Sequence, residues 1–113
     1  MVSHVSVSRV TGDVVPASMS DIVMNSILRV EFAFNGIIIT DAMDMTAITS
    51  HYSAKEAAVR AILAGADIVL MPQDYMQALE GVHEAINEGV LSEQRIDDSV
   101  LRILQVKVKR GLF

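Results

Sequence analysis

The side chains best suited to chemistry are Asp41, which follows an apolar run, and three histidines. The run, Ile37–Thr40, consists of β-branched residues without polar alternation, which predicts a short strand buried on both faces. Ligands and reactive groups gather at the carboxyl ends of strands in parallel α/β folds. A carboxylate there is a functional candidate of the kind used in nucleophilic or acid–base catalysis. The alternative for Asp41 is a carboxylate that caps the following loop.

Asp44 lies three residues after Asp41. By like-charge repulsion it could raise the pKa of one carboxyl group of the pair, or it could be a solvated or capping residue. Met43, Met45 and Met71 lie at or just beyond the ends of predicted strands. They are candidates for an apolar pocket wall, although core packing is the usual role of methionine.

The three histidines fall in different settings. His4 lies in a predicted strand, where it could reach a bound ligand or could make a satisfied structural hydrogen bond. His51 lies in the loop after Asp41 and is expected to be exposed, and His83 lies on a predicted helix with a structural role. No His, Asp or Glu cluster has the spacing of a metal site, so we predict no metal.

The elements that must position these residues alternate along the chain. Strands are predicted to start near residues 2, 37 and 67, a repeat of about 30 residues typical of βαβ units. Helices are predicted after Ser18 or Ser20, which are candidate caps; after Ser53, in a capping box with Glu56; and after Asp74 and Ser92. Helix stops are predicted at Gly65, Gly89 and Gly111.

This β-α-β-α-β-α-α order predicts an α/β fold with parallel strands joined by right-handed crossovers. Three such βα units form part of a (β/α)8 barrel, which needs eight strands and about 250 residues. A chain of 113 residues is enough for one domain, residues 1–113. The first and last strands would have unpaired edges, so association between copies of the chain is one expectation and a small open sheet is the other.

The composition argues against several functional classes of protein. The chain is 51% hydrophobic with a net charge of −5 and has no basic stripe, which argues against nucleic-acid binding. Lys107, Lys109 and Arg110 suit the C-terminal end of a helix dipole better than a binding patch. There is no cysteine, which leaves the redox compartment open. No signal peptide is visible and no apolar run is long enough to span a membrane, which predicts a cytoplasmic protein that does not interact with membranes.

Several stretches together resemble glycoside hydrolase family 3, in its β-N-acetylhexosaminidase and β-glucosidase-like branch. The match covers nearly the whole chain in the family's order. The stretches are Val15–Ser20, similar to "PA(S/T)LS"; Leu28–Gly36, similar to "LR-E-LGF-G"; Thr40–Met45, similar to the nucleophile signature "TDALxM"; Ala64–Pro72, similar to "AGADxxLMP"; and Arg95–Leu104, similar to the closing helix of the catalytic domain.

The resemblance implies that the chain is the C-terminal part of the family's catalytic barrel, corresponding to its last three strands. It implies a retaining glycosidase with Asp41 as nucleophile, acting on β-linked N-acetylglucosamine or glucose with water and no cofactor. His4, in a stretch similar to "TAH", is with Met43 and Asp44 a candidate substrate-binding residue. The proton donor of this branch resembles a His/Asp pair on a "KHFPGHG"-type loop, which this sequence does not contain. The loop Ser8–Val15 is also shorter than the family's.

Three hypotheses therefore remain. The first is the nucleophile-bearing part of a β-glycosidase. The second is an inactive truncated domain or a self-associating interaction module. The third is a phosphate-binding half-barrel, which the lack of glycines and basic residues in the loops disfavours.

Overall fold

The computed structural model describes all 113 residues, Met1–Phe113. Helices make up most of its regular structure. The α-helices are α1 (Ser8–Thr11), α2 (Thr46–Thr49), α3 (Ala54–Ala64), α4 (Tyr75–Asn87) and α5 (Glu93–Lys109). A 3₁₀ turn spans Ala17–Met19, and a π-helix spans Ile22–Glu31. No helix is both long and apolar enough to cross a membrane.

The starts of the three long helices follow the sequence prediction. The side chains of Ser53, Asp74 and Ser92 accept hydrogen bonds from backbone amides three residues later, at 3.1, 3.0 and 3.2 Å. Each bond satisfies an amide that the first helical turn leaves without a partner. α3 ends at Gly65, whose φ of 119° lies in the left-handed region. The caps predicted at Ser53, Asp74 and Ser92 and the stop at Gly65 are therefore confirmed. Of the two candidate caps for the earlier helix, Ser20 accepts from the amide three residues later at 3.4 Å, whereas Ser18 does not cap that helix.

The prediction of a parallel sheet is wrong. Three extended segments run side by side: the first contains Val2, the central one contains residues 38–40, and the third contains Ile68. Only isolated parallel bridges join Val2 to Thr40 and Ile39 to Ile68. The chain therefore forms neither strands nor a partial barrel of three parallel βα units.

Local competition for backbone partners explains why one ladder stops. Beyond Thr40, the amide of Leu70 bonds the Thr40 side-chain oxygen at 3.0 Å instead of a backbone carbonyl. A continuous sheet needs successive backbone pairs along each segment, and this contact interrupts the ladder between the central and third segments. The carbonyls of Ser3 and Val5 face away from the central segment and accept from Ser18 and Ala17.

The predicted helix after Ser20 forms as a π-helix, with the amide of Phe32 donating to the carbonyl of Ile27 at 2.9 Å. The helical spacing of Val23, Ile27 and Val30 predicts that they share one apolar face, but the buried residue of this helix is Met24 and Val30 is exposed. The wider turn changes which residues share a face, since the predicted face assumed a period of 3.6 residues.

The core lies between α3, the π-helix and the central extended segment. Its nine residues are Met19, Met24, Ile38, Met43, Ile48, Ala57, Ala61, Ala64 and Ala66. The alanine face of α3 forms one wall, and its small side chains allow close approach of the backbones. Ile38 and Thr40, 2% and 0% exposed, anchor the segment that leads to Asp41.

Candidate functional site

Asp41 follows the buried central segment directly. Its amide donates to the carbonyl of Val2 at 2.8 Å, so the first and central segments are still paired where Asp41 begins. Asp41 is half-buried. The sequence-predicted site residue therefore lies on a rigid support at the end of the core, with its side chain partly open to solvent.

The Asp41 carboxylate has few partners. Its Oδ1 accepts one hydrogen bond, from the amide of the next residue, Ala42, at 2.8 Å. It makes no ion pair and accepts no other hydrogen bond in this chain. A carboxylate oxygen offers two lone pairs, so most of the acceptor capacity of Asp41 remains available. This arrangement suits a group that must react or bind.

His4 lies beside this aspartate, from the neighbouring segment. Its Nδ1 is 2.7 Å from the Ser18 hydroxyl and its Nε2 is 2.8 Å from the carbonyl oxygen of Ala42. Ser18 is fully buried in the 3₁₀ turn. The imidazole thus connects a buried serine to the backbone immediately after Asp41.

A cleft of about 510 Å³ opens next to this contact. It is lined by His4, Ser6, Val14, Pro16, Ala47, His51 and Tyr52. His51 is exposed, as predicted, and packs edge-on against Tyr52 with ring centroids 6.4 Å apart. Arg60 lies over the same tyrosine ring at 5.3 Å. Polar side chains and an aromatic face together suit a ligand with hydroxyl groups and apolar carbon faces.

The other predicted site residues do not converge on Asp41 in the same way. Met43 is 2% exposed and belongs to the core, which favours its packing role. Asp44 is exposed and has no hydrogen bond or ion pair within the chain. His83 is exposed on α4. No group of three or more His, Cys, Asp or Glu residues is arranged to hold a metal.

A second carboxylate, Asp67, lies at the opposite end of the extended segments. Its side chain is completely buried, and it pairs with Arg29 at 2.6 Å and with Arg102 at 2.9 Å. It also accepts from the Ser99 hydroxyl at 2.7 Å and from the Ile38 amide at 2.8 Å. Every partner donates to the carboxylate.

These contacts determine the ionisation of Asp67. Burial by itself raises the pKa of a carboxyl group, but the hydrogen bonds from Ile38, Ser99 and Arg102 and the charge of Arg29 outweigh it. The pKa of Asp67 is therefore below its ordinary value. Burial has the opposite consequence for Arg29, whose pKa is lowered despite the attraction of Asp67. The cluster is an ionised structural centre.

Sequence reasoning missed several residues that contribute to these two sites. Ser18 was expected only as a helix cap, and Tyr52 was not singled out. The partners of Asp67, among them Ser99 and Arg102, were not foreseen either. Ser18 lies 14 residues from His4, and Ser99 and Arg102 lie 32 and 35 residues from Asp67. No local pattern signals contacts over such separations.

Comparisons with known proteins agree on one family. Residues 1–106 match the family described as the glycosyl hydrolase family 3 N-terminal domain. Over 100 residues the chain is 30% identical to a β-N-acetylglucosaminidase/β-glucosidase from Cellulomonas fimi, covering 88% of this chain and 18% of that protein. Over 103 residues it is 30% identical to β-hexosaminidase A from Pseudoalteromonas piscicida, covering 83% and 17%.

Solved structures give the same result. The chain superposes on a glycoside hydrolase family 3 β-N-acetylglucosaminidase from Paenibacillus sp. str. FPU-7 with a TM-score of 0.88 and 36% identity. That match covers 92% of this chain and 20% of the Paenibacillus chain. The chain therefore spans about a fifth of the length of each of these three relatives.

Proposed function

The chain belongs to glycosyl hydrolase family 3, and from that membership we propose that it carries the nucleophile of a retaining β-glycosidase, with Asp41 in that role. The relatives named above include a β-N-acetylglucosaminidase/β-glucosidase and a β-N-acetylglucosaminidase. The proposed substrates are therefore glycosides with a terminal β-linked N-acetylglucosamine or glucose. The observation that supports Asp41 is its carboxylate: half-buried, rigidly supported, and engaged by one backbone amide only.

The proposed chemistry has two steps. Asp41 attacks the anomeric carbon and forms a glycosyl ester while the leaving oxygen takes a proton from a second group. Water then cleaves the ester with that second group acting as base, which restores the β configuration. The second group is assigned to a residue outside this sequence. We therefore expect the purified chain to hydrolyse 4-nitrophenyl N-acetyl-β-glucosaminide no faster than its Asp41→Asn variant does.

A chimera supplies the missing groups. The matched segment of the Paenibacillus enzyme is replaced by this chain, and hydrolysis of the glucosaminide and the corresponding glucoside is measured. We expect turnover that falls by about 10⁴-fold in Asp41→Asn, because loss of a covalent nucleophile removes the main route. Asp97→Asn is the control, since it makes the same chemical change at an exposed carboxylate on α5 that has no side-chain hydrogen bond or ion pair within the chain, and it should keep most of the activity.

Chemical rescue tests the retaining mechanism directly. In an Asp41→Gly chimera, azide can enter the space left by the carboxylate and attack the anomeric carbon from that face. A β-glycoside should then yield the α-glycosyl azide. Equal activity in the folded Asp41→Asn chimera, or no azide product from Asp41→Gly, would contradict the assignment of Asp41.

A non-catalytic interaction module is the second candidate. Its supporting observation is that only 23 of 113 residues are buried, while apolar side chains such as Phe32, Val100 and Val108 are exposed. Apolar surface of this extent favours association with another polypeptide or with a second copy. Sedimentation of the purified chain distinguishes a self-associating module from a chain that stays monomeric, because the apparent mass of a self-associating module rises with its concentration.

A further inference from the structure

The contact between His4 and the backbone after Asp41 has a consequence for the position of the carboxylate. Ser18 is fixed at one end of the contact, since it is fully buried and its own amide donates to the Ser3 carbonyl at 3.0 Å. The imidazole joins this fixed point to the Ala42 carbonyl at 2.8 Å. It thus connects the 3₁₀ turn with the segment that holds Asp41.

The partners of His4 determine its tautomer. A carbonyl oxygen only accepts hydrogen bonds, so Nε2 carries the proton that is donated to Ala42. In the neutral ring Nδ1 is then the acceptor, and the Ser18 hydroxyl donates to it. Both ring nitrogens are occupied within the chain, which leaves neither of them free for a ligand.

Ala42 is held on both sides. Its carbonyl accepts from His4, and its amide donates to Oδ1 of Asp41 at 2.8 Å. We propose that His4 is a positioning residue, which orients the Asp41 carboxylate by fixing the Ala42 backbone between two hydrogen bonds. The catalytic significance of this contact rests on the proposed role of Asp41, but the positioning itself does not.

Positioning matters for a nucleophile because the carboxylate must lie in line with the bond that breaks. A displacement of about 1 Å can reduce the rate of a reaction about 100-fold. Because His4 acts through the backbone of Ala42, its loss should affect the chemical step more than substrate binding. In the chimera, kcat should fall about 10- to 100-fold with KM nearly unchanged.

Two substitutions separate positioning from general folding effects. The amide nitrogen of His4→Gln can take the place of Nε2 and donate to Ala42, whereas that of His4→Asn corresponds to Nδ1 and reaches only towards Ser18. Both variants remove the ring and introduce the same functional group. The readout is the set of three-bond couplings of the Asp41 side chain, measured by NMR on the intact 113-residue chain.

We expect couplings of a single staggered rotamer in the native chain and in His4→Gln, and couplings averaged over several rotamers in His4→Asn. Ser18→Ala keeps the ring but removes its anchor, and should also increase averaging. The proposal is overturned if Asp41 stays in one rotamer in folded His4→Asn and Ser18→Ala, or if His4→Gln averages as much as His4→Asn.

This readout does not depend on turnover. If Asp41 is ordered by His4 but the Asp41→Asn chimera remains active, the positioning holds and the nucleophile assignment fails. If Asp41→Asn removes the activity of the chimera while the Asp41 couplings do not change on substitution of His4, the nucleophile assignment holds and the positioning role of His4 fails.

Discussion

Asp41 and Asp67 are the same residue type at opposite ends of neighbouring extended segments, but their surroundings differ sharply. The side chain of Asp67 is wholly buried and accepts from four donors, two of them arginines. Asp41 is half-buried and accepts from one backbone amide. The Asp67 carboxylate uses its hydrogen-bonding capacity within the fold, whereas the Asp41 carboxylate keeps most of its capacity available.

The difference shows how this chain separates stability from reactivity. A buried charge is tolerated only when it is paired and hydrogen bonded, and a group so satisfied has nothing left for a substrate. A group that must react has to keep free lone pairs and be held in place by other residues. For Asp41 that support comes from Ile38, Thr40 and, as proposed, His4.

Asp67→Asn should have the largest effect on stability. All four partners donate to the carboxylate, so an amide NH₂ would face donors and leave Arg29 and Arg102 without a counter-charge. Breaking a buried ion pair from one side costs about 3–5 kcal/mol. Urea unfolding followed by circular dichroism measures the change, and an unchanged midpoint would show that the cluster does not support the fold.

Acid pH should also reduce the free energy of unfolding, by less than Asp67→Asn does, because it protonates the same carboxylate. The folded-state pKa of Asp67 is lower than its unfolded value, so its contribution to stability is complete above that unfolded value, about 4. The contribution is lost as the pH falls through the folded pKa, because the neutral carboxyl group no longer pairs with the arginines. Unfolding free energies measured from pH 7 down to pH 2 should therefore decrease less steeply in Asp67→Asn than in the native chain.

The sequence predicted features that depend on neighbouring residues. The caps at Ser53, Asp74 and Ser92 and the stop at Gly65 follow from contacts within one helical turn, so the local pattern was sufficient. The position of Asp41 at the end of a core segment was predicted for a related reason, since an apolar run directly precedes it.

The sheet and the Asp67 cluster could not be predicted with equal success, because they depend on distant residues. Whether Ile37–Thr40 forms a ladder depends on which groups meet its edges, and there the Thr40 side chain takes the Leu70 amide. Arg29 and Arg102 lie 38 and 35 residues from Asp67, in separate helices. Periodicity in a sequence contains no information about such pairings.

Asp41→Asn should have the smallest effect on stability, which makes it the sharpest test of the comparison. The Oδ1 atom of asparagine can still accept from the Ala42 amide, and the lost charge is partly solvated and unpaired. Substitutions that leave no buried polar group or charge without a partner change stability by less than about 0.5 kcal/mol. The urea midpoint, measured beside that of Asp67→Asn, should therefore stay close to the native value. A loss comparable to that of Asp67→Asn would mean that Asp41 is a structural carboxylate as well, and the division between a saturated and an available aspartate would not hold.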